Sequence, residues 1–313
     1  MSTEPIAVPS RRSNRRSKWR RSLEPLPWLA PSLLLIAAVV VYPVIEMVRT
    51  SLSNVNISGL TTGWVGLRNY GFVFEEPDLP RILRNTGVWV VGVVGLTVLI
   101  SLSVAQLLNE SFPGRKVVRW ALIVPWAASL VMTASVWRWM LNYDYGIVNP
   151  VLQALGLIDA PRDWLGDPGT SFYAMMFVGV IVSIPFTTYV LLAGLQGIPR
   201  ELYDAARVDG GTAWSTYRHI TFPLLRPALV VGMVLNAIYV FNSFPIIWIM
   251  TQGGPGNSTD TTATWVYKLA FKSDHRIDEA AAVSVLNVIV LLVIVLGYLR
   301  WLTRRERSAE ASS

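Results

Sequence analysis

Six apolar runs, at about 28–48, 86–108, 117–141, 172–195, 224–250 and 280–302, dominate this sequence. At about 1.5 Å of rise per helical residue, each approaches or exceeds the roughly 30 Å of a bilayer's hydrocarbon core. In that medium every backbone polar group has to be bonded internally, which helices achieve within one segment. The expected fold is therefore an all-α integral membrane protein of six transmembrane helices, with 28–302 as one membrane domain. The 313 residues are 52% hydrophobic and 15% charged, more apolar than a soluble core of this size requires. A basic stretch before an apolar run also describes a signal peptide. The first run exceeds a typical signal core, however, and no small-x-small cleavage site follows Tyr42-Pro43, so it reads as an uncleaved first helix.

Charge sets the orientation and removes several function classes. The net charge is +7. Seven cations fall in 1–27, three in 109–119, four in 196–226 and four in 300–313, eighteen of the 27 Lys and Arg. The richer side is the cytoplasmic one, so both termini are expected inside. Arg11, Arg12, Arg15, Arg16, Lys18, Arg20 and Arg21 make 1–27 a basic, disordered cytoplasmic arm for lipid headgroups, and 303–313 is a cytoplasmic tail. No groove-reading module accompanies the arm, so nucleic acid is not an expected partner. There are no cysteines, and His219 and His275 lack ligand spacing, so no metal is expected. Gly114-Arg115-Lys116 lacks the rest of a nucleotide loop, so no nucleotide or other cofactor is expected either.

One polar stretch, 200–227, interrupts the apolar pattern between the fourth and fifth runs. Pro199 and Glu201 suit a helix start, and Leu202, Ala205, Ala206 and Asp209 fall on one narrow face. Gly210-Gly211 supplies a sharp stop, and Thr212 can cap a second helix carrying Trp214, Tyr217 and Ile220. An ordinary interhelical connection has the same ingredients, and the order of the residues separates the two readings.

Asp204-Ala205-Ala206, then Gly210, then Ile220 and Phe222-Pro223 at this spacing resembles the coupling loop of importer permeases of the ATP-binding cassette (ABC) class, in their carbohydrate branch. The usual form reads Glu-Ala-Ala, Asp-Gly-Ala and Ile-x-Leu-Pro, with Asp204, Gly211 and Phe222 standing here for Glu, Ala and Leu. The resemblance implies that Asp204, Ala205, Ala206, Asp209, Gly210, Ile220 and Pro223 couple to an ATPase inserted against the loop from the cytoplasm. It also implies the partners: a second, homologous permease, an ABC ATPase dimer, an extracytoplasmic solute-binding protein and a carbohydrate-like substrate in a bacterial cytoplasmic membrane. The chain itself would hold no catalytic residue. Thr251-Gln252-Gly253-Gly254-Pro255-Gly256 resembles the external loop on which the binding protein docks, although from its residues alone it reads only as a turn.

For the substrate pathway, polar residues in apolar helices are the candidates. Asn236, Tyr239, Asn242 and Ser243 recur on one helical face of span five, Ser183 and Phe186 flank Pro185 in span four, and Trp126 and Ser129 flank Pro125 in span three. Sugars require hydroxyl partners and an aromatic face, and this set offers both. The resemblance implies the same role for Trp126, Phe186, Asn236, Tyr239 and Ser243. Each polar residue also has the plainer reading of a bond between neighbouring helices. Pro125, Pro185 and Pro245 are expected to kink spans three, four and five. An ion-coupled transporter usually carries ionisable groups at mid-membrane, and the span interiors here have none. A membrane enzyme would need a buried acid/base pair or nucleophile, and none is evident. A non-sugar solute for the same class of permease is the nearest alternative.

Overall fold

The computed structural model describes residues 26–56, 58–272 and 275–310. The basic arm expected at 1–27 lies outside them as far as residue 25, and so does the expected tail beyond residue 310. Contacts divide the chain into two compact units, the first ending at Arg49. Helix α1 runs through Leu26–Ile36, a wider turn at Ala37–Val41 and Tyr42–Ser51, and all but its last two residues belong to the first unit. None of its 18-residue apolar window is buried, as a helix meant for lipid contact requires.

The second unit begins with a two-stranded antiparallel ribbon, β1 (Ser53–Val55) and β2 (Thr61–Trp64), in which Ser53 pairs with Trp64 and Asn54 with Gly63. The expected all-α reading is corrected by this ribbon, although the chain is mostly helical. After it come α2 (Arg68–Glu75) and α3 (Leu79–Asn109), whose Pro80 sits where a helix's first turn has no need of the N–H. The third apolar run does not form one helix. It is α4 (Arg115–Trp126) and α5 (Leu130–Met140), bent by 97°. Pro125 lies one residue before the end of α4, and the Ser129 side chain accepts from Met132 N at 3.2 Å, so a new helix is capped where a single kinked one was expected.

Next are α6 (Val148–Ala154) and α7 (Pro168–Gln196), started by Asp167, which accepts from Gly169 N at 2.8 Å. Pro185 sits inside α7 without interrupting it. The polar stretch is α8 (Arg200–Val208), followed by α9, continuous over Ala213–Phe241. The fifth apolar run then breaks at Asn242-Ser243 before α10 (Phe244–Met250), because Pro245 has no N–H to give the Phe241 carbonyl four residues back. At the end of α9 the Ile238 carbonyl accepts from both Asn242 N at 3.3 Å and Asn242 Nδ2 at 2.9 Å. The last helices are α11 (Thr262–Phe271) and α12 (Ile277–Glu310).

Among the described residues five helices, α1, α3, α7, α9 and α12, are long and apolar enough to cross a bilayer, and the bent pair α4 and α5 adds a sixth if taken as one span. The packed centre is α3 against α7 and α9. Trp89 is 1% exposed, and its indole N–H donates to the Val240 carbonyl and Ser243 Oγ, both at 3.0 Å, tying α3 to the C-terminal end of α9. Glycine lets α7 and α9 approach closely: a Cβ on Gly194 would overlap Ala228, and one on Gly232 would touch Val190 at 3.4 Å. Without a hydrophobic drive between helices in lipid, such close packing carries much of the association. A second apolar cluster, with Val73, Ile82, Trp265 and Val283 at its centre, joins α2, α3, α11 and α12.

Candidate coupling loop and transport pathway

The polar loop is a built object. Helix α8 ends with two reciprocal bonds, Gly211 N to the Ala206 carbonyl at 2.8 Å and Gly210 N to the Arg207 carbonyl at 3.1 Å, the pattern that closes a helix through a left-handed residue. That residue is Gly210, at φ +74. Thr212 Oγ1 then accepts from Ser215 N at 3.2 Å and starts α9, so the turn between the two helices is fixed at both ends. Asp204, Ala205, Asp209 and Gly210 are exposed, Ala206 is partly covered, and Val208 and Trp214 are 88% and 69% exposed. Asp204 meets Arg207 at 3.4 Å on the solvent side. The inner side is anchored. Tyr203 packs against the apolar cluster that includes Leu195, Ile198 and Leu225, and Thr221 Oγ1 donates to the Tyr203 hydroxyl at 3.3 Å. Trp214, Tyr217 and Phe222 follow ring against ring into α9, with the Arg226 guanidinium 5.2 Å above Phe222. Ile220 is half-buried and Pro223 lies in the first turn after the wide stretch at Tyr217–Thr221. A movement imposed on α8 therefore has a continuous side-chain route into a long helix.

The pathway candidates separate into two groups. Ser183, Asn236 and Ser243 are buried at 3%, 1% and 3% exposure. Ser183 Oγ donates to the Gly179 carbonyl at 2.8 Å, and Ser243 Oγ both accepts from Trp89 and donates to the Val240 carbonyl at 2.6 Å. The hydroxyls of Ser183 and Ser243 are thus spent within the subunit. Tyr239 (39% exposed), Trp126 (50% exposed) and the half-buried Phe186 keep open ring faces. Ser183 and Phe186 lie on α7 and Asn236 and Tyr239 on α9, two helices in close contact, whereas Trp126 and Ser129 lie at the α4–α5 bend, where Ser129 caps a helix. Trp89 was no candidate in the sequence, since its partners, the Val240 carbonyl and Ser243, lie about 150 residues along the chain.

The loop from Thr251 to Thr261 is held by side chains. Asp260, 2% exposed, meets Lys268 Nζ at 2.6 Å and accepts from Thr264 Oγ1 at 2.9 Å. Asn85 Nδ2 donates to the Ser258 and Asp260 carbonyls at 2.9 and 3.1 Å. Burial pushes the Asp260 carboxyl above its ordinary range, against the opposing pull of Lys268. Beside this loop a cavity of about 430 Å³ is lined by Arg138, Asn142, Asp144, Asp163, Thr251 and Pro255 among others.

Long apolar helices, two of them joined by an exposed, braced helix-turn-helix, define a multi-pass membrane protein. Residues 97–308 match the family described as the binding-protein-dependent transport system inner membrane component, and the chain belongs to that family. It is 45% identical to a probable ABC transporter permease protein of Brucella suis, over 90% of this chain and 96% of that one. It is 36% identical to the trehalose/maltose transport system permease protein MalF of Thermococcus litoralis, over 76% and 79% of the two chains. It is 32% identical to the sulfoquinovosyl glycerol transport system permease protein SmoG of Agrobacterium fabrum, over 89% and 90%. Among solved structures, a bacterial ABC transporter involved in the import of the acidic polysaccharide alginate superposes with a TM-score of 0.78 at 24% identity, over 92% of this chain and 98% of that one, a likeness of fold.

Proposed function

We propose that this chain is one of the permease subunits of a binding-protein-dependent ABC importer, carrying a carbohydrate or a related polar solute across the cytoplasmic membrane. The observation that carries the reading is the α8–α9 turn: an exposed helix stopped at a left-handed glycine, with the Asp204-Ala205-Ala206 to Phe222-Pro223 spacing, braced against α9 on the cation-rich side. ATP is hydrolysed by a separate ATPase dimer that receives α8. A second, homologous permease completes the pathway, and an extracytoplasmic binding protein delivers solute at the Thr251–Thr261 side. With α4 and α5 counted as one span there are six, and both termini and α8 are cytoplasmic. The sugar assignment draws on the relatives named for trehalose/maltose and sulfoquinovosyl glycerol, and on Tyr239, Phe186 and Trp126, whose open rings suit stacking on a pyranose.

The test is uptake by proteoliposomes holding the assembled complex and its binding protein, with a panel of labelled di- and oligosaccharides and polar non-sugar solutes. ATP-dependent accumulation of a saccharide is expected. Tyr239→Ala should lower its uptake by about tenfold, the worth of roughly 1.4 kcal/mol, while basal ATP hydrolysis persists. Accumulation of the non-sugar solutes alone would overturn the substrate class, and uptake without ATP would overturn the transporter class.

A further inference from the structure

The loop from Thr251 to Thr261 is joined to α9 twice. One connection is the chain itself, back through α10, and it passes the break at Asn242-Ser243 between the two helices. The other runs through side chains of α3. Asn85, 4% exposed, donates from Nδ2 to the Ser258 and Asp260 carbonyls at 2.9 and 3.1 Å. Four residues on, the Trp89 indole donates to the Val240 carbonyl and to Ser243 Oγ, both at 3.0 Å. Residues four apart lie on one face of a helix, so a single turn of α3 holds the loop at one end and the α9–α10 break at the other.

Both ends of this turn are fixed in place. Trp89 meets Phe172 of α7 edge-on with the ring centroids 6.3 Å apart, and a Cβ on Gly179 would come within 3.0 Å of its ring. Beside Asn85, Thr86 Oγ1 accepts from Thr262 N at 3.0 Å, which ties the start of α11 to the same turn. Asp260, whose carbonyl Asn85 holds, is itself clamped by Lys268 and Thr264. A break between helices absorbs a push along the chain, because a few residues at element ends take up the backbone rotation. Here the second connection spans the break, so the loop, α10 and the Asn85–Trp89 turn close a triangle of packed and hydrogen-bonded parts.

We propose that the Asn85–Trp89 turn of α3 is a strut that makes the Thr251–Thr261 loop and the C-terminal end of α9 move as one body. Asn85 and Trp89 are then positioning residues: the first takes a displacement of the loop, and the second delivers it to α9, whose other end adjoins the α8 turn. The inference rests on the reading above, in which a binding protein acts at this loop and an ATPase at α8.

ATP hydrolysis by the assembled transporter in lipid nanodiscs tests it, measured alone and with its own solute-binding protein at increasing concentration. Trp89→Phe keeps an aromatic ring and removes the N–H. It should lower the hydrolysis added by saturating binding protein about fivefold, the scale of one lost hydrogen bond, with basal hydrolysis and the half-saturating concentration unchanged. A loss of folded protein would lower basal hydrolysis in step. Asn85→Ala, which cuts the other end, should cause a similar loss. The double variant should lose no more than either alone, since a strut cut once transmits nothing, whereas independent effects would multiply to about 25-fold. Ser103→Ala, on the same helix but with a hydroxyl that bonds the Leu99 carbonyl, should match wild type. An unchanged increment in Trp89→Phe, losses that multiply, or an equal loss in Ser103→Ala overturns the strut. No increment in the wild type would instead overturn the importer reading on which the strut rests.

Discussion

Gly210→Val is expected to reduce ATP-driven uptake at least tenfold while the protein still inserts and accumulates in the membrane. The residue sits at φ +74, a region that β-branched side chains avoid, and holding one there costs about 1–3 kcal/mol. That strain falls on the bonds from Gly210 and Gly211 to the Arg207 and Ala206 carbonyls, which aim α8 relative to α9. Nothing lies within 4 Å of a Cβ built on Gly210, so the effect is one of backbone conformation and not of crowding. Gly210→Asn, which tolerates a left-handed backbone, should retain most uptake. The measurements are uptake and membrane level by immunoblot, and normal uptake in the valine variant would make the loop a passive connector.

Gly194→Val should act differently, by removing the folded protein. A Cβ there would overlap Ala228 and come within 3.0 Å of Leu225 Cδ1, in the cluster where Leu191, Leu192, Leu195 and Leu225 are buried. Ala228 Cβ is fixed to the α9 backbone and cannot swing aside, so two long helices have to separate. Overpacking of this kind costs about 1–3 kcal/mol or more, and here it forfeits the close approach on which helix association in lipid depends. The monodisperse fraction in detergent should fall about tenfold by fluorescence-detected size exclusion, with Gly194→Ala intermediate. Gly87→Val, where an added Cβ meets nothing within 4 Å, should leave the fraction unchanged.

These two glycines show what could be read from the residues and what could not. Gly210 was legible, because a Gly-Gly pair after a helix-forming stretch and before Thr212 has a local meaning. Gly194 was not, because its meaning resides in Ala228, on another helix. The apolar runs announced the long helices, but the run at 117–141 concealed the 97° bend, since Ala127-Ala128-Ser129 is as apolar in character as an unbroken span. Pro245 was read as a kink inside span five. Its missing N–H instead ends α9 at Phe241 and lets α10 begin. Residues 53–64 gave no sign of a ribbon, because three or four residues are too few for a period. Asn236 and Tyr239 share a face by spacing, yet one is buried and the other open, because α7 and α3 cover only part of that face. Helical periodicity identifies a face, and only the crossing of neighbours decides which part of it is covered.

The claim that α8 meets an ATPase in the cytoplasm is open to one direct measurement. The chain has no cysteine, so a single one is a unique chemical handle. Asp204→Cys on the exposed side of α8, and Tyr145→Cys on the opposite side of the proposed topology, would each be treated with a short bifunctional thiol reagent in native membranes, and the linked subunits identified by mass spectrometry. The account predicts that Cys at 204 links to a nucleotide-binding subunit and Cys at 145 does not. A nucleotide-binding subunit linked through 145, or none through 204, would contradict it.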